Sequence, residues 1–262
     1  GSVNVITSGV HSRISGSTVN TNGHAVSTDA ADSSKVLADA GGLSIAVGYG
    51  GKAGAGGSIG AAVAVNVVTG DVDACISGST LGSAALPVGD VTVKALSDSS
   101  IWSLTLAGSG AAGAGGGQFG GAVALDGAGS VNVVSGHIDG YISGSTIFAD
   151  GKAIVVDAVD NTSIIANAGA LGGALAIDSS SGAAGAGSVG LSAAVNVIAR
   201  NTNAYISGST LGAATGRINS ASVSAASTAR VWALTVAGSG AAGFSGETFG
   251  FALAGASAGS VN

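Results

Sequence analysis

Apolar and polar residues alternate along four homologous segments of this chain: VNVITSGVHSRI from Val3, VNVVTGDVDACI from Val65, VNVVSGHIDGYI from Val131 and VNVIARNTNAYI from Val195. In the second copy one alternating set is Val63, Val65, Val67, Thr69, Asp71, Asp73, Cys75, and the other is Ala64, Asn66, Val68, Gly70, Val72, Ala74, Ile76. Period-two alternation predicts strands. The start of each is apolar in both sets, which predicts a strand covered on both sides; toward its end one set turns polar and is expected to meet water. A second strand region follows in each copy, reading VSTDAADSSKVLADAG, VTVKALSDSSIWSLTLAG, IVVDAVDNTSIIANAG and VSAASTARVWALTVAG. Each copy then closes in a Gly/Ala-rich stretch, expected to form thin, closely packed sheets because Gly and Ala let layers approach within the usual spacing of about 10 Å.

The copies form a regular array. Ile-Ser-Gly-Ser-Thr recurs at Ile14–Thr18, Ile76–Thr80, Ile142–Thr146 and Ile206–Thr210, at steps of 62, 66 and 64 residues. Gly-Ser-Val-Asn recurs at Gly1, Gly129 and Gly259, at steps of 128 and 130. Odd and even copies differ. Leu37 and Ile165 stand where the even copies have Trp102 and Trp232, and GSGAAG occurs only at Gly108–Gly113 and Gly238–Gly243. The unit is therefore a pair. Such periodicity predicts an all-β parallel β-solenoid of four repeats (1–57, 58–128, 129–187 and 188–262) in two pairs, a single continuous segment with like residues stacked in columns. Whether a repeat makes one very wide coil or about three ordinary ones stays open. The closing Gly-Ser-Val-Asn reads as a point at which the next unit continues, and with no Met in the chain residue 1 is not read as a natural start.

Stacking places Asn4, Asn66, Asn132 and Asn196 in one column, where buried amides would bond along the column as a ladder, the alternative being an Asn that satisfies a neighbouring loop carbonyl. Gly16, Gly78, Gly144 and Gly208 mark a corner that calls for positive φ, with neighbouring Ser and Thr hydroxyls capping the turn amides. Thr18, Thr80, Thr146 and Thr210 make a single Thr column, thin support for an ice-binding surface.

Composition narrows the function classes. Charged residues are 8% and apolar residues 46%, with a mean hydropathy of +0.57, so the chain is not disordered. Net charge is −6 without a basic stripe, which argues against nucleic acid. Ser99–Leu125 is uncharged but too glycine-rich for a helix, and two Trp and three Tyr are few for the girdles of a membrane barrel; the chain reads as soluble and not transmembrane. Cys75 is the only cysteine, so no internal disulfide forms.

Candidate chemistry dissolves on comparing copies. Gly56-Gly57-Ser58-Ile59-Gly60 fits the nucleophile elbow, but the other copies read GGQFG, AGSVG and GETFG there. Four G-x-G-x-x-G matches, at Gly108, Gly115, Gly185 and Gly238, fall in Gly-rich tracts with no βαβ pattern. His11, His24 and His137 lack metal-ligand spacing along the chain. Asp71 and Asp73 share a strand face but are replaced in the other copies. The calcium-solenoid nonapeptide is missing, leaving structural calcium a minor alternative. Arg13, Cys75, Tyr141 and Tyr205 share a column expected to be exposed. Asn161-Thr162-Ser163 is a glycosylation sequon only in a eukaryotic secretory setting.

The cadence G-A-G-x-x-G-x-A-V-A-V-N-V followed by A-Y-I-S-G-S-T-L, best matched at Gly54–Leu81 and Gly185–Leu211, resembles repeats of large bacterial filamentous-haemagglutinin-like and leukotoxin-type surface adhesins. The resemblance implies an extracellular, cell-surface β-solenoid shaft that is structural or adhesive and not an enzyme. It carries no catalytic, cofactor or metal residue. Its expected partners are further copies of the repeat, head to tail within or between chains, and a host or neighbouring-cell surface. A carbohydrate-active β-helix enzyme is the alternative.

Overall fold

A computed structural model describes residues 1–212 and 216–262, and among them every regular element is a strand. Among the described residues seventeen strands form four parallel sheets: β1 (Ser2–Ser15), β5 (Ala53–Ser77), β9 (Phe119–Ser143), β13 (Ala183–Ser207) and β17 (Gly250–Val261) in the first; β2 (Thr18–Val19), β6 (Thr80–Leu81), β10 (Thr146–Ile147) and β14 (Thr210–Leu211) in the second; β3 (Val26–Asp32), β7 (Val91–Ser97), β11 (Ala153–Asp160) and β15 (Ser220–Ser227) in the third; and β4 (Lys35–Gly50), β8 (Ser100–Gly115), β12 (Ser163–Asp178) and β16 (Arg230–Ser245) in the fourth. Strand partners are one repeat apart: Asn4 lies beside Asn66, Thr80 beside Thr146, and Ile101 beside Ile164. The chain is a parallel β-solenoid in which each repeat makes one wide coil. That settles the choice between one coil and three.

One coil shows the plan. Strand β5 (Ala53–Ser77) runs unbroken for 25 residues, a contour of about 80 Å at the usual rise. The corner strand β6 (Thr80–Leu81) turns the chain back, and β7 (Val91–Ser97) and β8 (Ser100–Gly115) return beneath it to a tight tip, where β9 (Phe119–Ser143) starts the next coil. The other coils repeat this plan: β1 (Ser2–Ser15) to β4 (Lys35–Gly50) before it, β9 to β12 (Ser163–Asp178) after it, then β13 (Ala183–Ser207) to β16 (Arg230–Ser245), with β17 (Gly250–Val261) starting a fifth. The repeat boundaries at 57/58, 128/129 and 187/188 fall inside β5, β9 and β13, so they mark a phase of the array and no break in structure.

The interior tapers from corner to tip because inward side chains shrink along the strands. Near the corner Ile76, Leu81, Val91, Ile138, Ile147 and Ile154 are fully buried. Farther in, Val68 and Val134 meet Val36, Ile101 and Ile164. Beyond the asparagine column the inward residues are small, Ala, Gly, Ser and Thr, with the carboxylates of Asp126 and Asp178 the buried exceptions. Near the tip the two layers touch backbone to backbone. A Cβ on Gly48 would fall 1.7 Å from the Ala55 carbonyl oxygen, and one on Gly113 1.7 Å from that of Gly121. Glycine is required there because no side chain fits between the layers.

This tapering half, termed the wing, departs from the sequence reading in one respect. The apolar starts of the long strands are covered on the inside only, and Val3, Ile59, Val63 and Val123 on the outward side are 50–72% exposed.

Candidate functional site

Three columns of the repeat need particular backbone or buried polar geometry. The asparagines form a continuous ladder: Asn4 Nδ2 donates to Asn66 Oδ1, Asn66 to Asn132 and Asn132 to Asn196, each at 2.8 Å, and Asn196 donates to Asn262 at 2.9 Å. Asn66 and Asn132 are fully buried, so the ladder satisfies amides that water cannot reach. Gly16, Gly78, Gly144 and Gly208 share φ values of +54° to +57°, the left-handed conformation favoured by glycine. Beside them runs a hydroxyl column. The backbone N–H groups of Ser17, Ser79 and Ser145 donate to the hydroxyls of Ser79, Ser145 and Ser209 in the next coil, each at 3.1 Å. Thr18, Thr80, Thr146 and Thr210 stack in the two-residue corner strands, one column wide.

The residues with the most reactive chemistry meet on the outward polar half of the long strands. Between the second and third coils the strand pairing skips from Thr69–Ser135 to Val72–Ile138. At this skip Gly136 has φ +129° and lies so near its neighbour that a Cβ would come 2.0 Å from the Gly70 oxygen. Asp71 replaces the missing strand acceptor: its Oδ1 accepts the His137 backbone N–H at 3.1 Å and faces His137 Nδ1 at 2.9 Å. This contact leaves Nε2 directed toward Asp73 Oδ1 at 3.5 Å and Asp139 Oδ2 at 3.8 Å. The other oxygens are engaged, Asp73 Oδ2 with His11 Nδ1 at 2.8 Å and Asp139 Oδ1 with Asn203 Nδ2 at 2.9 Å.

Donor atoms of Asp73, His137 and Asp139 lie within 4.8 Å of one another, a mixed nitrogen–oxygen set able to hold a divalent cation. Spacing along the chain does not show this grouping. His137 and Asp139 stand two residues apart on β9, and the stacking register brings Asp73 of the preceding coil to them. A nitrogen donor also sets the group apart from the all-oxygen shell of calcium.

The column of Arg13, Cys75, Tyr141 and Tyr205 is exposed at Arg13 and Tyr205 and departs from expectation at Cys75. Cys75 is buried, whereas Tyr141 and Tyr205 stack at 5.0 Å between ring centroids with 4° between planes. The hydrogen bond with Cys75, then burial, pushes the Tyr141 phenol up to about 12, and burial raises that of Tyr205.

The motif candidates lie on structural strands. Ser58 points into the wing and donates to the Ser44 hydroxyl at 2.8 Å, within the unbroken strand β5 and not on a strand-to-helix elbow. The G-x-G-x-x-G tracts at Gly108, Gly185 and Gly238 lie within β8, β13 and β16. Asn161 sits in the turn before β12 and accepts from Thr228 at 2.8 Å. Sequence comparison missed Asp126, which stands inside the wing where the neighbouring coils have Gly60 and Gly190. Burial raises its pKa, while the Ser109 hydroxyl, donating at 2.7 Å, pulls it the other way. Its signal was present, a lone carboxylate in a column of glycines.

Comparison with family models, with curated proteins and with solved structures finds no match to this chain.

Proposed function

We propose that the chain is a structural segment of an extracellular bacterial surface shaft, a non-catalytic scaffold that extends coil upon coil and holds or forms an adhesive surface. The observation that carries this reading is the coincidence of one sequence repeat with one coil, threaded by the asparagine ladder from Asn4 to Asn262. Each added repeat contributes one strand to each of four sheets and one amide to the ladder. Length is therefore gained without redesigning any contact, which is what a shaft requires. The polar outward columns vary from coil to coil while most inward columns keep their size, Asp126 among the exceptions, so the surface is free to diversify over a nearly constant interior. The partners on this reading are further copies of the repeat along the axis and a cell surface at the outward polar columns.

Electron microscopy of the assembled array tests the reading. One coil per repeat gives about 4.8 Å of axial rise per repeat, and a repeating pair about 9.6 Å. A substantially longer rise per repeat, or depolymerisation of an acidic polysaccharide by the isolated segment, overturns it in favour of a different assembly or of an enzyme.

A further inference from the structure

The wing is apolar on the outside. On β8 the inward residues include Ser103, Thr105 and Ser109, while Trp102 and Leu106 face out. The opposite face repeats the inversion. In the inner coils Ile59, Leu106, Leu171 and Leu191 remain 52–70% exposed. No outward position along Ala53–Val67, Phe119–Val133 or Ala183–Val197 carries a charge. Beyond the band the outward columns turn polar, at Thr69 and Ser135 on one side and at Lys52 and Gln118 by the tip.

The outward columns of this face mix small and large residues from coil to coil, one of them with a period of two coils. Gly57, Val123, Gly187 and Leu253 succeed one another in one outward column, and Ala61, Gly127, Leu191 and Ser257 in another. Above Gly57, Gly127 and Gly187 nothing lies within 4 Å of where a Cβ would be. Knobs of Val and Leu thus stand beside open hollows at the spacing of the coils. A complementary surface needs knobs at the same spacing displaced by one coil, and a second copy of this chain supplies them.

We propose that the wing is a lateral docking surface for the wing of another copy, packed face to face with Val123 and Leu191 seated opposite glycine hollows. The area suffices. The band is about 45 Å along the strands and about 19 Å across four coils, or roughly 800 Å² per partner, which matches the roughly 800 Å² per partner of a standard stable interface. Exposed apolar patches of this size mark interaction sites. A lipid surface is the competing occupant, and the vesicle arm of the test distinguishes it. The two wing faces lie back to back, so pairing on both builds layered bundles of shafts. The inference does not depend on axial extension, since one segment presents the whole face.

Sedimentation velocity on the intact 262-residue chain tests it, alongside a Val123→Thr/Leu191→Thr variant that keeps β-branched or β-compatible residues at both sites. The chain is expected to self-associate, and the variant to do so about tenfold or more weakly with an unchanged circular-dichroism spectrum. Negative-stain images separate the two modes of assembly: wing pairing thickens the particle, whereas axial stacking lengthens it. Three outcomes overturn the inference: a chain that stays monomeric or only lengthens, a folded variant that pairs as strongly, or a chain that partitions onto phosphatidylcholine vesicles instead of pairing. If the variant loses its β spectrum, Leu106→Thr/Leu171→Thr on the opposite face provides the same readout for that face, and undiminished thickening with it overturns layered pairing.

Discussion

At the scale of single residues, the buried asparagines do what no apolar residue of their size can do. Each amide donates to the next coil and accepts from the one before, so removing one strands two neighbours. Asn66→Leu leaves Asn4 Nδ2 without its acceptor and Asn132 Oδ1 without its donor, at about 1–3 kcal/mol for each group that is buried away from water. Asn132 carries the full penalty and the half-buried Asn4 less, which a drop in the urea midpoint at unchanged m-value measures. The tyrosine stack offers a second readout. The Tyr141 phenol is pushed up to about 12, so the folded state holds its proton after the unfolded chain, at about 10, has released it. Stability is therefore full below pH 10 and falls as the pH rises toward 12. In absorbance titration Tyr141→Phe removes the highest tyrosinate transition, and in alkaline unfolding it flattens that fall. The asparagine column was legible in the sequence because it recurs in every copy ten residues before the marker Ile. The His137 cluster was not. Asp73 stands 64 and 66 residues from His137 and Asp139, a proximity created by register alone.

At the scale of elements, glycine serves two unrelated ends, and substitution separates them. Gly78 at the corner has φ +54° with open space around it, so Gly78→Ala meets only the left-handed backbone cost of about 1–2 kcal/mol. Gly113 has ordinary backbone but no room, since its Cβ would lie 1.7 Å from the Gly121 oxygen. Gly113→Ala must push the two layers apart along the wing, and its cost is expected to exceed the roughly 3 kcal/mol at the upper end of ordinary overpacking. Thermal unfolding of the two variants should rank Gly113→Ala well below Gly78→Ala; equal loss would mean that the layers are not in backbone contact. The sequence revealed the strands and the corner glycines through alternation and recurrence. It misled at the wing, where both alternating sets are apolar and periodicity cannot say which one lies inside. Size decides. The layers converge, so the set with Gly, Ala and Ser goes in, and the larger Val, Leu and Ile are left on the outside.

At the scale of the whole molecule, the period identified a parallel solenoid but not the number of coils, because a repeat of this length fits one wide coil or several narrow ones. What decides is that β5, β9 and β13 continue unbroken for 25 residues, and only backbone pairing reveals that continuity. The paired character of the repeat then acquires a cause. In outward columns of the returning sheet Gly41, Leu106, Gly169 and Val236 succeed one another, beside Leu43, Gly108, Leu171 and Gly238. Each leucine leans over the next coil's glycine: a Cβ on Gly108, Gly169 or Gly238 would come 3.0–3.1 Å from Leu43, Leu106 or Leu171. Odd and even coils are thus complementary, and the array should tolerate growth by pairs better than by single repeats. Duplicating residues 66–195 inserts 130 residues and preserves the alternation, whereas duplicating 66–131 inserts 66 and sets Leu106 beside Leu106, Trp102 beside Trp102 and Gly108 beside Gly108. In a solenoid whose stability is a sum of coil and nearest-neighbour terms, the paired insertion should raise the urea midpoint. The single insertion should gain less than half as much unfolding free energy, because its one new interface is mismatched. Equal gain per coil would show that the alternation is neutral to stacking and that its two-coil period serves only the outer surface.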